Sequence, residues 1–355
     1  MTASGLPPLR VLVVDDSVFN RRSISEILAS SSLIDVVGKA ADGEEALRLV
    51  GALKPDAITL DLEMPRMDGF TFLRILMTKM PTPVIVVSSY SQKENVFKAL
   101  ELGALDFVAK PDRYSDPDLG GVRDELVRKV LLARSVRRIQ PATPQKRAPD
   151  PAVARPPEAR PELPSTAPKQ VVAIASSTGG PSALMEIFAR LPQNYPHGVV
   201  IAQHMPDKFT RTFAERLDRR SQLRVGEAQD RDVVGAGTAF VCPGRQCMEL
   251  ESGPRAGLRL RVVPPSEQDR YVPSADRLLT SVARSAGRRA VGVILTGMGD
   301  DGVQGARAIV DAGGIVVAEA ESTAVVYGMP GSAVRAGVAT LSLPLGEIAE
   351  LLARL

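Results

Sequence analysis

The chain of 355 residues has no tryptophan, only two histidines and two cysteines, and an aromatic content of 4%. It has no apolar run approaching the roughly 20 residues that a membrane-crossing helix needs. Its first ten residues, MTASGLPPLR, hold no apolar stretch of the secretory type, so a cytoplasmic protein is expected. Cys242 and Cys247 are too few for a disulfide framework. Their spacing lacks the second ligand pair of a zinc site, and they read as buried or incidental thiols. Neither sign of charge is in excess: 44 basic against 41 acidic residues leave a net +3, too little to argue for nucleic acid. No helix-turn-helix with a basic face is evident. The phosphate-binding patterns G-x-x-x-x-G-K-[ST] and G-x-G-x-x-G are also missing where a nucleotide-binding second half would carry them.

What is present is ordinary globular material, 44% hydrophobic and 24% charged, at a length that favours two cores. From Gln140 to Pro168 the chain reads QPATPQKRAPDPAVARPPEARPELPSTAP, where proline recurs every few residues and large apolar residues almost vanish. Such a composition builds no core and favours stiff, extended conformations. The expected organisation is a domain over 1–134, a Pro/Ala/Arg-rich linker over 135–168 and a second domain over 169–355.

Both halves alternate β-branched runs with amphipathic stretches. In the first, RVLVVDD, DVVGKA, AITLDL, PVIVVSS and DFVAK read as strands; in the second, QVVAIAS, GVVIAQ, TAFVCP, LRLRVV, VGVILT and GIVVAEA do. Strands alternating with helices predict an α/β protein of two doubly wound, mostly parallel-sheet domains. In such sheets chemistry gathers beyond the carboxyl ends of the strands.

In the first domain those ends carry Asp15-Asp16, Asp61, Ser88-Ser89 and Lys110-Pro111. One Asp at a strand end reads as a helix cap. Three carboxylates, a hydroxyl and an ammonium at one rim read differently, because the carboxylates repel unless a hard cation such as Mg²⁺ neutralises them. Asp61 is then placed to attack a phosphoryl group, with Ser88 and Lys110 as further contacts. Lys110-Pro111 is also a position where a cis peptide is cheap. These residues, with MPRMDG after the central Asp, resemble the receiver domain of bacterial response regulators over roughly residues 9–130. The resemblance implies a five-stranded, five-helix domain phosphorylated on Asp61 by a sensor histidine kinase, with Mg²⁺ held by Asp15, Asp16 and Asp61. Phe107 then takes the part of the aromatic that changes rotamer on phosphorylation; core packing is its plainer reading.

In the second domain, ASSTGGP (175–181) follows a strand and opens a helix. Its glycines suit a phosphate cradle, and equally a serine whose oxyanion needs backbone donors. His204 in QHMPDKF stands at the end of the next strand, whereas His197 lies before that strand, at the wrong end of the sheet. Imidazole is the natural base for a serine hydroxyl. GMGDDG (297–302) ends a later strand; Asp300 reads as a helix cap and Asp301 as the group orienting the imidazole. The order Ser…His…Asp differs from that of α/β-hydrolases.

ASSTGGP, QHMPDKFTRTFAERL, VGVILTGMGDDG, PSADRLL and VVYGMPGSA resemble the catalytic domain of chemotaxis protein-glutamate methylesterases over about residues 170–353. With a receiver in front, the whole chain is similar to the two-domain enzyme, its second domain Rossmann-like. The resemblance assigns the nucleophile to Ser177 rather than Ser176, the base to His204 and the third member to Asp301, with Thr178 and Met298 beside the oxyanion. It implies hydrolysis of glutamyl methyl esters on chemoreceptors with release of methanol, deamidation of receptor glutamines in some members, and no cofactor for the esterase reaction. It implies no nucleic acid and no membrane insertion. A receiver joined to a hydrolase is read either as a gate over the site, loosened by phosphorylation, or as a targeting module.

Overall fold

The structure is a computed structural model that describes residues 7–89, 93–110, 119–136, 166–253 and 257–355. The chain divides into two compact units, 1–146 and 147–355. The proline-rich segment expected over 135–168 lies, except at its ends, outside the described residues, as does Pro111.

The first unit runs β1 (Leu9–Val14), α1 (Val18–Ala29), β2 (Ile34–Ala40), α2 (Gly43–Leu53), β3 (Ala57–Leu60), α3 (Gly69–Lys79), β4 (Val84–Ser88), α4 (Lys93–Glu101), β5 (Asp106–Ala109) and α5 (Leu119–Leu131). Its five strands pair in parallel in the order β2-β1-β3-β4-β5. β3, β4 and β5 are buried at every residue, which is what a sheet covered on both faces demands of its sequence. Aspartates start two of the helices: Asp42 accepts from the amides of Glu44 and Glu45, and Asp68 from that of Thr71.

The second unit continues with β6 (Val171–Ser176), α6 (Gly180–Phe188), β7 (Gly198–Gln203), α7 (Asp207–Arg220), β8 (Arg224–Glu227), β9 (Val233–Val234), β10 (Thr238–Val241), β11 (Cys247–Ser252) and β12 (Leu258–Val263). Then follow α8 (Ala275–Ala286), β13 (Ala290–Ile294), α9 (Val303–Asp311), β14 (Ile315–Glu319), α10 (Met329–Arg335), β15 (Leu341–Leu343) and α11 (Leu345–Arg354). Seven strands form one parallel sheet, β15-β14-β13-β6-β7-β10-β8. The two doubly wound sheets expected from the sequence are both present.

LRLRVV is the exception. It reads as a strand in a mostly parallel domain, and β12 is one of the strands outside that arrangement, pairing antiparallel with β11 and β9 in a separate three-stranded sheet. Its alternating leucines and arginines are alternately buried and exposed over their first four positions, so the strand covers a core on one face only. That face packs with α8, where Ser281 Oγ accepts from the Leu250 amide and Ser285 Oγ donates to the Leu250 carbonyl. Cys242 and Cys247 are both free and buried in this unit, as the sequence suggested.

Among the described residues no helix is long and apolar enough to cross a membrane.

Candidate active site

In the seven-stranded sheet β6 lies centrally, with β7 on one side and β13 on the other. The connection after β6 runs to β7 and the one after its neighbour β13 runs the opposite way to β14, and this is where a doubly wound sheet opens a crevice. Ser177, His204 and Asp301 all follow these three strands.

β6 ends at Ser176, and Gly179 at φ +80° turns the chain into α6. The turn is tight: a Cβ on Gly180 would lie 2.1 Å from Gln203 Oε1. The two serines separate clearly. Ser176 is fully buried and donates its hydroxyl to Gln203 Oε1 at 2.7 Å. Gln203 Nε2 in turn donates to the carbonyls of Ser177 and His204, each at 3.0 Å. The Ser177 hydroxyl makes no hydrogen bond among the described residues, to His204 or otherwise. The GMGDDG loop packs against it, since a Cβ on Gly297 would come 2.8 Å from Ser177 Cβ.

His204 Nε2 lies 2.8 Å from Asp301 Oδ2. Asp301 is 2% exposed and already accepts from the Ala275 amide at 2.8 Å and the Asp276 amide at 2.9 Å, at the N-terminus of α8. A carboxylate so surrounded by donors is held as an acceptor, so His204 must donate to it through Nε2–H. Nδ1 is then the nitrogen left with a lone pair. Residue spacing gave no sign of which nitrogen would be used.

Asp300 does not cap a helix with its side chain, contrary to the sequence reading. Its carboxylate accepts from the Tyr271 hydroxyl at 3.1 Å and from Arg270 Nη1 at 3.4 Å, while Gly302 holds the cap position of α9. Tyr271 also stacks on His204. Thr178 is buried, and its carbonyl accepts from the Thr296 hydroxyl at 2.9 Å; Met298 is partly exposed.

Beneath Thr296 lies a group that the sequence reading passed over. Glu319, the last residue of β14, is 1% exposed and accepts from the Thr296 amide at 2.8 Å. Burial pushes its carboxyl from the ordinary 4.5 up to about 7, against the opposing hydrogen bonds from the Thr296 amide and the Thr323 side chain. Between these two values the folded state keeps a proton that the unfolded state has lost. Stability therefore falls as pH rises through this window, and the full penalty is present above 7. Its upper bound is about 3 kcal/mol. Glu319→Gln is expected to gain stability relative to wild type, by up to that amount, between about pH 5 and about pH 8. Urea unfolding at both pH values measures the difference; a constant difference would show that folding does not hold the proton.

The first unit gathers its own cluster. Carboxylate oxygens of Asp15, Asp16 and Asp61 lie within 4.8 Å of one another. Lys110 Nζ sits 2.6 Å from Asp61 Oδ2 and 2.9 Å from Asp15 Oδ2. Burial raises the Asp61 carboxyl above its ordinary range, and nearby Asp15 adds to this, although Lys110 opposes it. Burial pulls the Lys110 ammonium down, but its two carboxylate partners outweigh it and leave the group raised. Three carboxylates that can each offer an oxygen at this spacing suit a hard divalent cation, with the Lys110 ammonium beside two of them. Ser88 is buried at the end of β4, and the Lys110 amide donates to its carbonyl at 2.8 Å. Phe107 is 2% exposed, with its ring edge-on to Phe97 at 6.3 Å.

The chain is thus an α/β protein with an acidic pocket on one parallel sheet and a Ser/His/Asp-bearing rim on another. The family described as CheB methylesterase matches residues 172–352, and the response regulator receiver domain matches residues 11–116. The chain belongs to the CheB methylesterase family and carries a response regulator receiver domain. It is 47% identical, over 100% of its length and 99% of the relative, to protein-glutamate methylesterase/protein-glutamine glutaminase 1 of Myxococcus xanthus. It is 50% identical, over 93% of its length and 92% of the relative, to protein-glutamate methylesterase/protein-glutamine glutaminase 3 of Geobacter sulfurreducens. The crystal structure of the Thermotoga maritima CheB methylesterase catalytic domain matches 52% of this chain and 97% of its own, at 38% identity and a TM-score of 0.51.

Proposed function

We propose that the chain removes methyl esters from glutamate side chains of chemoreceptors, releasing methanol, and hydrolyses glutamine side-chain amides at the same site. We assign the chemistry to the domain over 169–355, joined by the 135–168 linker to a receiver domain over 1–134. The observation that carries the reading is the His204–Asp301 pair, 2.8 Å apart, beside the end of β6 where Ser177 stands with an uncommitted hydroxyl. Ser177 Oγ attacks the ester carbonyl while His204 Nδ1 takes its proton, and Asp301 stabilises the imidazolium through Nε2–H. The carbonyl oxygen becomes an oxyanion beside Thr178 and Met298. When the intermediate collapses, the C–OCH₃ bond breaks and His204 returns the proton to the departing methoxide. Water, deprotonated by the same imidazole, then cleaves the glutamyl-serine ester and regenerates Ser177. With an amide substrate, ammonia leaves in place of methanol.

In the receiver, Asp61 is the phosphoacceptor for a sensor histidine kinase, and Asp15, Asp16 and Asp61 would hold Mg²⁺. The cation supplies charge neutralisation for phosphoryl oxygens. Lys110 stabilises the charge on the transferring phosphoryl oxygens, and Ser88 and Phe107 are the phosphorylation-responsive contacts. The protein is read as cytoplasmic.

Methanol release from methylated receptor membranes tests the esterase. Ser177→Ala is expected to lose at least about 10³-fold in kcat. Ser176→Ala is expected to keep the chemistry and lose about 1 kcal/mol of stability with its bond to Gln203. The reverse pattern would move the nucleophile to Ser176.

A further inference from the structure

Tyr271 lies on the segment between β12 and α8, away from every strand end, yet it touches the imidazole. Its ring centroid is 5.3 Å from that of His204, with the two planes 7° apart. This is a stacked pair within the distance range aromatic rings prefer. The tyrosine is itself held. Its hydroxyl donates to Asp300 Oδ1 at 3.1 Å, and the Arg270 guanidinium, 3.4 Å from Asp300 Oδ2, lies 5.2 Å from the tyrosine ring centroid. The chain makes room for the hydroxyl with Gly299, at φ +90°, where a Cβ would come 2.5 Å from it. Burial, aided by Asp300, raises the phenol above its ordinary range, so it remains a donor at neutral pH.

We propose that Tyr271, anchored by Asp300 and Arg270, is a positioning residue for His204, fixing the plane of the imidazole while Asp301 fixes its direction. The proposal rests on His204 acting as the general base. One hydrogen bond at Nε2 restrains one point of the ring and leaves rotation about that point open. A flat surface parallel to the ring removes that freedom, which matters for a side chain still 15% exposed. The stack also acts on charge. The imidazole becomes a cation when it takes the serine proton, and a tyrosine face beside a cation is favourable. The interaction therefore strengthens along the reaction, so its loss falls on kcat rather than on KM.

The test uses the full chain, methylated receptor membranes and ¹³C-labelled histidine. With only two histidines in the chain, His204 and His197 give two signals. His197 is buried beside Tyr195 and serves as an internal reference for the fold. Tyr271→Phe, which keeps the ring but loses the bond to Asp300, is expected to cost about threefold in kcat. Tyr271→Leu is expected to lose about tenfold in kcat with KM nearly unchanged. It should also move the His204 signal downfield by removing the ring current, and leave the His197 signal in place. If Tyr271→Leu fails to fold, Asp300→Ala at an exposed position releases the anchor and is expected to cost about threefold in kcat.

Wild-type kcat in a folded Tyr271→Leu, a rise in KM at constant kcat, or equal damage from phenylalanine and leucine would each overturn the proposal. These results are separable from failure of the underlying reading: turnover that survives His204→Ala overturns both. An inactive His204→Ala beside an unaffected Tyr271→Leu overturns this proposal alone.

Discussion

Asp301→Asn is expected to lower kcat for methanol release by about 10³–10⁴-fold, the largest effect of any isosteric change in the chain. The aspartate receives three donors: the amides of Ala275 and Asp276 and His204 Nε2–H. Asparagine has one acceptor oxygen. If that oxygen takes the place of Oδ2, the new NH₂ confronts the Asp276 amide. If it takes the place of Oδ1, the NH₂ confronts both the Ala275 amide and the imidazole. The second arrangement is relieved only if His204 moves its proton to Nδ1, and an imidazole protonated there cannot accept from serine. Either way a buried donor loses its acceptor, so a loss of about 1–3 kcal/mol in unfolding free energy should accompany the rate effect. Kinetics and urea unfolding of the variant separate the two effects. A kcat within tenfold of wild type would mean that the carboxylate does not set the imidazole's tautomer.

The strands that build both parallel sheets were legible because burial on both faces leaves a plain signal. VVAIAS and GVVIAQ are apolar almost throughout and buried at every residue. β8, β9, β11 and β15 escaped notice for the opposite reason: RVGE and CMELES carry charged residues on partly exposed faces, while β9 and β15 have two and three residues. Looking beyond strand ends picked out Asp61, Lys110, His204, Asp301 and the Ser176-Ser177 pair, because the loops that follow parallel strands share one rim of the sheet. The same rule could have located Gln203 and Glu319, each the last residue of its strand. They were absorbed into the apolar runs they terminate. Tyr271 had no such signal. It reaches His204 from a loop contributed by the antiparallel insertion, a juxtaposition that residue spacing does not encode. Nor could spacing separate Ser176 from Ser177, whereas burial and the Gln203 bond do.

In the receiver, Lys110→Ala and Asp61→Asn are expected to shift stability in opposite directions. Among the described residues Lys110 is the one cation ion-paired with both Asp15 and Asp61, at 2.9 and 2.6 Å, and its side chain is 18% exposed. Removing it leaves two buried carboxylates facing each other, and breaking a buried pair from one side costs about 3–5 kcal/mol. Partial exposure of the lysine puts the expected loss at the lower end, about 3 kcal/mol. Asp61→Asn instead removes one of the two like charges and keeps the Lys110–Asp15 pair, while also relieving a carboxyl whose burial disfavours its ionised form. That variant should exceed wild-type stability and incorporate no phosphate from a small phosphodonor. Mg²⁺ discriminates further. It offers the charge that Lys110→Ala lacks, so millimolar Mg²⁺ should raise the midpoint of the lysine variant more than that of wild type, and that of Asp61→Asn least. Calorimetry of the full chain measures all three. Equal Mg²⁺ shifts in the three proteins would mean that the three carboxylates do not share a cation, whatever their proximity.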